Sequence, residues 1–176
     1  MTRIQIREAN LRDVSFIAAQ LRACDREEIA CQVAPGTRPA QLAAFCLAGS
    51  QGYTVFRDGL PSGAFGFAPI SDGVLNGWAF GRPGFGRCVP AITRFVFREL
   101  VPTWLRDGIR RVEVRSIESH HRAHRWLEAA GAARCCALDE WGRGGERFYL
   151  YAWTARSLLP DIRRRWSVPQ GRRRIN

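Results

Sequence analysis

The stretch that decides the fold is Trp78–Arg87, WAFGRPGFGR, which leads into AITRFVFRELVPTWLRD at residues 91–107. Alternating apolar residues over Val74–Phe80 predict a strand, and this strand runs directly into a loop with glycines. The loop opens the longest helical segment, in which Pro90 suits the first turn and Pro102 is expected to kink or split the helix. Because a helix start presents aligned N–H groups, a glycine loop at this place favours an anion.

On both sides of this stretch the sequence predicts short elements. Upstream we expect a strand at Ile4 and Ile6, a helix capped by Asn10, helices at Asp25–Cys31 and from Pro39, and a hairpin turning at Asp58-Gly59. Downstream we expect a strand in RRVEVRS (110–116), a helix in HHRAHRWLEAAG (120–131) and a final hairpin across WGRGG (141–145). This order predicts an α/β (α+β) domain of about six or seven strands with helices between them.

The composition restricts the class of protein. At 176 residues the chain fits one domain, and no apolar run is long enough to span a bilayer. All 27 basic residues are arginines, which excludes lysine chemistry such as a Schiff base. The six cysteines show no C-x-x-C spacing and mostly lie in apolar runs, which favours reduced, buried thiols over disulfides.

The net charge of +11 is uneven along the chain. Residues 156–176 contain seven arginines against Asp161, which gives +6 of that total. We therefore divide the chain into a domain over residues 1–154 and an arginine-rich tail over residues 155–176. The tail residues expected to bind a partner are Arg156, Arg163, Arg164, Arg165, Trp166, Arg172, Arg173 and Arg174, since arginine and tryptophan are common interface anchors.

The order of elements over residues 3–154 resembles the GNAT fold, the fold of the N-acetyltransferases. The resemblance implies a mixed and mostly antiparallel sheet of about six or seven strands flanked by helices. In that family the glycine loop and the following helix start hold the pyrophosphate of coenzyme A. The resemblance implies that Arg82, Gly84, Gly86 and Arg87 are the cofactor-binding residues, if an acyl-CoA binds at all. The helix that ends at Gly131 provides the second similar stretch.

Several positions depart from the family's pattern. The family has a basic residue or Gln with glycines at the third and fifth positions after it; counted from Arg82, the glycines come one position early. Pro83 contributes no amide donor to the loop. Leu127 stands where the family has a Tyr that acts as general acid, and the strand Val74–Phe80 offers no acidic base. The residues therefore predict no catalytic group, with Tyr149 or Tyr151 as substitutes only if geometry permits.

The histidines are candidate metal ligands. His120, at the family's usual Asn position, and His124 share a helix face, and Cys135-Cys136 could lie nearby. Adjacent cysteines on a strand point to opposite faces, however, so they do not chelate together. The sequence therefore predicts no metal site.

One branch of the fold shows a similar loss of catalytic residues, the GNAT-like proteins of short-tailed bacteriophages (podophages). The chain is similar to that branch in its Ile6-Arg7-Glu8 strand, in Trp78, and in Arg125-Trp126-Leu127 before Gly131-Ala132. The resemblance implies a virion structural or assembly protein without a cofactor. Such a protein would dock onto other virion proteins (portal, tail or internal core), with nucleic acid as a second partner of the tail. It would lie in the virion, and in the host cytoplasm during assembly.

The alternative is an acetyl-CoA-dependent N-acetyltransferase with an atypical active site. In this reading the substrate amine attacks the thioester directly, because positioning of two reactants alone supplies a large part of the rate. The main expectation is the virion protein, and the enzyme is the alternative.

Overall fold

The computed structural model describes residues 3–157. The strands are β1 Ile4–Glu8, β2 Gln51–Arg57, β3 Leu60–Ser71, β4 Val74–Gly81, β5 Arg111–Ile117, β6 Ala133–Leu138 and β7 Phe148–Thr154. The α-helices are α1 Leu11–Ala18, α2 Ala23–Ala30, α3 Pro39–Leu47, α4 Val89–Phe95, α5 Val101–Arg106 and α6 His121–Ala129. Within this part of the chain no helix is long and apolar enough to cross a membrane.

The strands form one seven-stranded sheet in the order β1-β2-β3-β4-β5-β7-β6. All neighbouring strands run antiparallel except β4 and β5, which are parallel and are joined by the crossover through α4 and α5. This architecture confirms the predicted fold class, a mixed and mostly antiparallel sheet flanked by helices.

Helices cover both faces of the sheet. On one face α1 and α3 pack Val14, Ile17 and Leu42 against Ala64 and Phe80 of the sheet. On the other face the segment from α4 to α5 packs its apolar side chains, and α6 lies beside it; the buried residues of this second core include Phe65, Phe85, Ile92, Phe97, Val101, Trp104 and Val112. We call these the α1 face and the α4 face.

The long helical segment is divided, as Pro102 predicted. Between α4 and α5 lies a π-helical stretch, Val96–Leu100. Proline has no N–H for the carbonyl four residues earlier and its ring collides with that turn, so the regular pattern cannot continue through Pro102. Asn10 caps α1 as expected, accepting the Asp13 N–H at 2.9 Å.

The prediction of buried thiols is wrong for most of the six cysteines. All six are free, but only Cys88 is buried, and Cys135 and Cys136 are exposed. The reason is the position of β6, which is the edge strand of the sheet and has exposed residues on both faces from Ala133 to Ala137. An apolar run of this kind does not show whether a strand is central or at an edge.

Candidate functional site

The two parallel strands of the sheet separate part of the way along. β4 and β5 are paired from Val74 opposite Arg111 to Gly77 opposite Val114. Both strands continue beyond that point, β4 to Gly81 and β5 to Ile117, but they no longer pair with each other. The sheet therefore contains a wedge-shaped split between the carboxyl ends of two central strands.

Helix α2 lies across the open end of this split. Its residue Asp25 accepts the Gly81 N–H through Oδ2 at 2.7 Å, and the Arg22 N–H donates to the Gly81 carbonyl at 3.0 Å. One turn later, Glu28 Oε1 accepts the Ile117 N–H at 3.3 Å. A backbone N–H that has lost its strand partner needs another acceptor, and the two carboxylates of α2 supply one for each strand.

An apolar chamber opens from the split on the α4 face. It encloses about 670 Å³, which includes space open to solvent. Its walls come from β3, β4, β5, α4, α5, α6 and β7, and they include Phe67, Gly77, Ala79, Thr93, Trp104, Val112, Val114, Trp126, Leu127, Ala130 and Trp153. Trp126 donates its indole N–H to Thr93 Oγ1 at 2.9 Å and so joins α6 to α4. Ala79 is exposed although it lies on a central strand, because the chamber reaches it.

The parted strands present free backbone edges to this split. Gly81 turns both its N–H and its carbonyl toward α2, so the two-residue alternation of a strand turns the N–H of Ala79 into the split as well. The same alternation, counted from Ile117, turns Arg115 toward β4; its N–H is used by the pairing of Gly77 with Val114, so its carbonyl is the next free group on the opposite edge. No strand lies between them, and an extended chain with amide groups would find hydrogen-bond partners on both sides.

The α1 face of the split is polar. Asn76 and Glu113 are partners in the β4–β5 register, one residue before the strands separate. Arg115 donates to Asn76 Oδ1 at 2.7 Å and stacks on the Trp141 ring, and Glu113 accepts from Arg111 at 2.6 Å. Val112 and Val114 point to the chamber, so Glu113 and Arg115 point the other way. The split therefore has an apolar side and a side with a carboxylate.

The loop after β4 is built around Phe85. This ring is buried, and it lies against Gly63 and Gly81, where an added Cβ would come within 2.1 Å and 2.3 Å of ring carbons. Gly84 adopts a left-handed φ of 92°, and a 3₁₀ turn over Phe85–Arg87 leads into α4. Among residues 3–157 the N–H groups of Gly84 and Gly86 have no recorded acceptor, so they are available to an anion.

The position of Phe85 draws attention to Gly81 as a second place from which to count the glycines. Counted from Gly81, Gly84 and Gly86 fall at the third and fifth positions, as in the family's pattern. Gly81 replaces the basic or Gln residue because the Phe85 ring occupies the space of a side chain there. The spacing of the two glycines from Gly81 thus equals the family's spacing, although position 81 holds neither a basic residue nor Gln and Pro83 removes one donor.

The structure separates the two arginines that the sequence placed at this loop. Arg82 donates to the Pro61 carbonyl at 3.1 Å and to Gln20 at 2.8 Å, and it lies over the Phe16 ring, so its guanidinium faces α1. Arg87 is exposed at the end of the 3₁₀ turn.

Arg57, at the end of β2, contacts the Gly84 carbonyl at 3.4 Å. It lies 27 residues away from Gly84 in sequence, and no local pattern marks it.

The remaining predicted groups lie at different distances from the split. Leu127 is buried and lines the chamber, at the position where the family has its phenol. Tyr149 and Tyr151 are not among the chamber-lining residues; their hydroxyls donate to Glu118 at 2.6 Å and to Glu128 at 3.2 Å. Burial raises the pKa of Tyr151 above its ordinary value.

His120 contacts two carboxylates of helix α2. Its Nδ1 lies 2.5 Å from Glu28 Oε2, and its Nε2 lies 3.9 Å from Asp25 Oδ1. His124 instead contacts the Ile117 carbonyl at 3.0 Å. Of the residues expected to bind a partner, Arg156 is exposed, and the others lie outside the described residues.

Comparison with known proteins identifies the fold. No family model and no curated protein matches the chain. Solved structures do match. One is an N-acetyltransferase from Staphylococcus aureus Mu50, which is 13% identical; the match covers 86% of this chain and 98% of that chain, with a TM-score of 0.66. The ribosomal-protein-S18-alanine N-acetyltransferase from Escherichia coli is 12% identical; the match covers 86% of this chain and 94% of that chain, with a TM-score of 0.62. The third is yncA from Salmonella typhimurium, assigned as an acetyltransferase, whose structure holds its cofactor acetyl-CoA. It is also 12% identical, and the match covers 86% of this chain and 93% of that chain, with a TM-score of 0.60.

These matches correct the main prediction made from the sequence. The matched structures are acetyltransferases, and nothing in the comparisons supports a podophage branch or a virion structural protein. The virion prediction is wrong: it relied on short sequence matches, and the matched structures favour the acetyltransferase alternative. The expectation that no cofactor binds has no support either, since one of the matched structures holds acetyl-CoA. The chain has the GNAT fold of the N-acetyltransferases.

Proposed function

We propose that the protein is an acyl-CoA-dependent N-acyltransferase with acetyl-CoA as its acyl donor. The observation that carries the proposal is the separation of β4 and β5 beyond Gly77 and Val114, with an apolar chamber on one face and a carboxylate on the other. This arrangement gives two reactants separate approaches to one gap in the sheet.

The residues around the split fit the parts of an acyl-CoA. Its pyrophosphate would lie at the N–H groups of Gly84 and Gly86, with Arg57 and Arg87 as cations beside them. The amide groups of its pantetheine arm match the free strand edges inside the split. The apolar lining of the chamber suits an acyl chain and excludes water from the thioester.

The chain's own groups would position the reaction. When bound, the acyl-CoA supplies an activated acyl carbon; the amine nitrogen bonds to it, the carbon–sulfur bond breaks, and the amine proton finally resides on the released thiol. The Ala79 N–H is placed to donate to the thioester oxygen, where negative charge develops. Glu113, held by Arg111 on the α1 face, is placed to accept a hydrogen bond from the incoming amine.

Leu127 leaves the chamber without a proton donor at the family's usual place. Effective molarities of well-oriented reactants reach about 10⁵–10⁸ M, so positioning can supply most of the acceleration. We therefore expect measurable acyl transfer at a rate that depends on the basicity of the acceptor amine.

The experiment is a titration with acetyl-CoA that follows thermal unfolding. At about one hundred times the dissociation constant, a ligand stabilises by about 2.7 kcal/mol, and for a chain of this size the melting temperature rises by roughly 5–11 °C. The variant Ala79→Phe places a ring in the chamber and removes this shift. Ala133→Phe, on the exposed edge strand β6, is the matched control and keeps it.

Two results would overturn the proposal. The first is no stabilisation of the natural chain by millimolar acetyl-CoA. The second is an equal shift in Ala79→Phe and in the natural chain, because the ligand would then bind outside the split.

A further inference from the structure

The imidazole of His120 is buried and has an unpartnered nitrogen. Its side chain is 7% exposed, and it occupies the open end of the split, between α2 and the start of α6. Nδ1 lies 2.5 Å from Glu28 Oε2, whereas Nε2 has no hydrogen-bond partner within residues 3–157. A buried polar atom without a partner is rare in folded proteins, and it points to a missing ligand.

The contact with Glu28 fixes which nitrogen carries the proton. A carboxylate accepts, so in the neutral imidazole, the form that binds metals, Nδ1 donates and Nε2 presents a lone pair. Asp25 Oδ1 faces this lone pair at 3.9 Å. Two acceptors face each other, and the weak thiol donor of Cys24, 3.8 Å from Asp25 Oδ1, is the recorded donor beside them.

A metal ion satisfies all three atoms at once. Cys24 Sγ, an Asp25 carboxylate oxygen and a His120 ring nitrogen lie within 4.8 Å of one another. Zinc binds sulfur at about 2.3 Å and nitrogen or oxygen at about 2.0–2.2 Å, so these donors need to approach one another by about 1 Å. A sulfur, a nitrogen and an oxygen are donors typical of zinc.

The surrounding groups already orient the donors. Glu28 holds the Nδ1 side of His120, which leaves Nε2 directed at the other two residues. Asp25 uses Oδ2 for the Arg22 guanidinium and the Gly81 N–H, each at 2.7 Å, and this leaves Oδ1 for an ion. Metal-binding histidines and carboxylates are usually fixed by outer partners of this kind.

The charges of the cluster match a divalent cation. Burial raises the pKa of the Cys24 thiol, and a bound ion would displace its proton. The thiolate and the carboxylates of Asp25 and Glu28 then sum to three negative charges, and Arg22 removes one. The remaining charge of minus two balances an M²⁺ ion in a site where Asp25 is almost fully buried.

We propose that Cys24, Asp25 and His120 bind one Zn²⁺ ion, with Glu28 orienting His120 from outside the ligand set. The ion joins α2 to the start of α6 across the open end of the split. This site does not depend on the acyltransferase activity. The sequence predicted no metal site because His120 was paired there with His124 and Cys135-Cys136, whereas Cys24 and Asp25 lie far from it along the chain.

The test uses the full chain with Cys135→Ser and Cys136→Ser, which removes the two exposed thiols of β6. Calorimetric titration with Zn²⁺ should give one ion per chain, and Co²⁺ in its place should show a thiolate-to-cobalt absorption band. Cys24→Ser should abolish the band, and Glu28→Gln should weaken Zn²⁺ binding by about 10–100-fold. The matched control, His121→Gln, changes an exposed histidine on the same helix and should bind zinc normally.

The proposal would be overturned if calorimetry gave fewer than 0.2 zinc ions per chain. It would also be overturned if His120→Gln bound zinc as tightly as the parent protein with Cys135→Ser and Cys136→Ser. Circular dichroism of each variant without metal establishes that it is folded. If His120→Gln does not fold, Cys24→Ser and the cobalt band decide the question. Neither readout depends on acetyl-CoA, so this proposal and the proposed function can fail separately.

Discussion

Replacing Gly63 by alanine should displace the ring on which the phosphate loop is built. The added Cβ would lie 2.1 Å from two ring carbons of Phe85, whereas carbon atoms pack at about 3.5–4.0 Å. The ring therefore has to retreat by roughly 1.5 Å. It is 1% exposed and packs in the core that contains Cys88 and Ile92, so it cannot move into solvent.

The size of the effect follows from overpacking of a close-packed core. Such a substitution costs about 1–3 kcal/mol, and the melting temperature should fall by roughly 2–12 °C. Phe85→Ala alone should cost about 3–5 kcal/mol, because it removes a large buried side chain. In the Phe85→Ala background the clash is absent, so Gly63→Ala should be close to neutral there. The double-mutant cycle should therefore give a coupling of about 1–3 kcal/mol.

Urea unfolding of the natural chain, the two single variants and the double variant measures the coupling. Titration with acetyl-CoA shows whether the N–H groups of Gly84 and Gly86 have moved. Gly86→Ala is the matched control, since its Cβ would meet no atom within 4 Å. We expect it to change stability by less than about 1 kcal/mol. An additive cycle, or a Gly63→Ala protein as stable as the natural one, would refute the view that Phe85 occupies the space of a side chain at this site.

Two further perturbations test the phosphate cations and the buried histidine. Arg57→Ala should weaken acetyl-CoA binding by about 10–100-fold in calorimetry, since a hydrogen bond to a charged group contributes about 1.5–3 kcal/mol. The control is Arg7→Ala, on the neighbouring strand β1, which should leave the affinity unchanged. Burial lowers the pKa of His124, so the unfolded chain takes up this proton more readily than the folded one. Stability from His124 is therefore present above its ordinary pKa of 6.5 and is lost as the pH falls below it. His124→Gln should flatten this slope between pH 7 and 5 in urea unfolding, whereas exposed His121→Gln should retain it.

Local patterns were sufficient for the scaffold. Alternation over Val74–Phe80 and the proline pair at positions 90 and 102 predicted a strand, a loop and a divided helix, because each signal lies within one element. The bounds of α2 and α3 were likewise close to the predicted ones. The exposed thiols of β6 were missed, since exposure depends on which strands lie beside it.

The site could not be predicted to the same extent, because its contacts join distant parts of the chain. Asp25 and Gly81 are 56 positions apart, and Glu28 and Ile117 are 89 apart. In the sequence, DREE at residues 25–28 is typical of a solvated charged helix. A local pattern also does not show why position 81 is a glycine, because the Phe85 ring, not the backbone of the loop, leaves no space for a side chain there.

A split in the middle of a sheet leaves backbone groups without partners, and the way this chain satisfies them explains where a ligand binds. At the open end, Asp25 and Glu28 accept the N–H groups of Gly81 and Ile117. Two residues back along β4, no side chain of α2 takes that role for the Ala79 N–H within the described hydrogen bonds. A buried, unpaired N–H costs about 1–3 kcal/mol. Water meets that requirement while the chamber is open, and a ligand with amide groups meets it once water has left. The cleft is therefore stable without a ligand and complementary to one, because α2 closes only the end of the split.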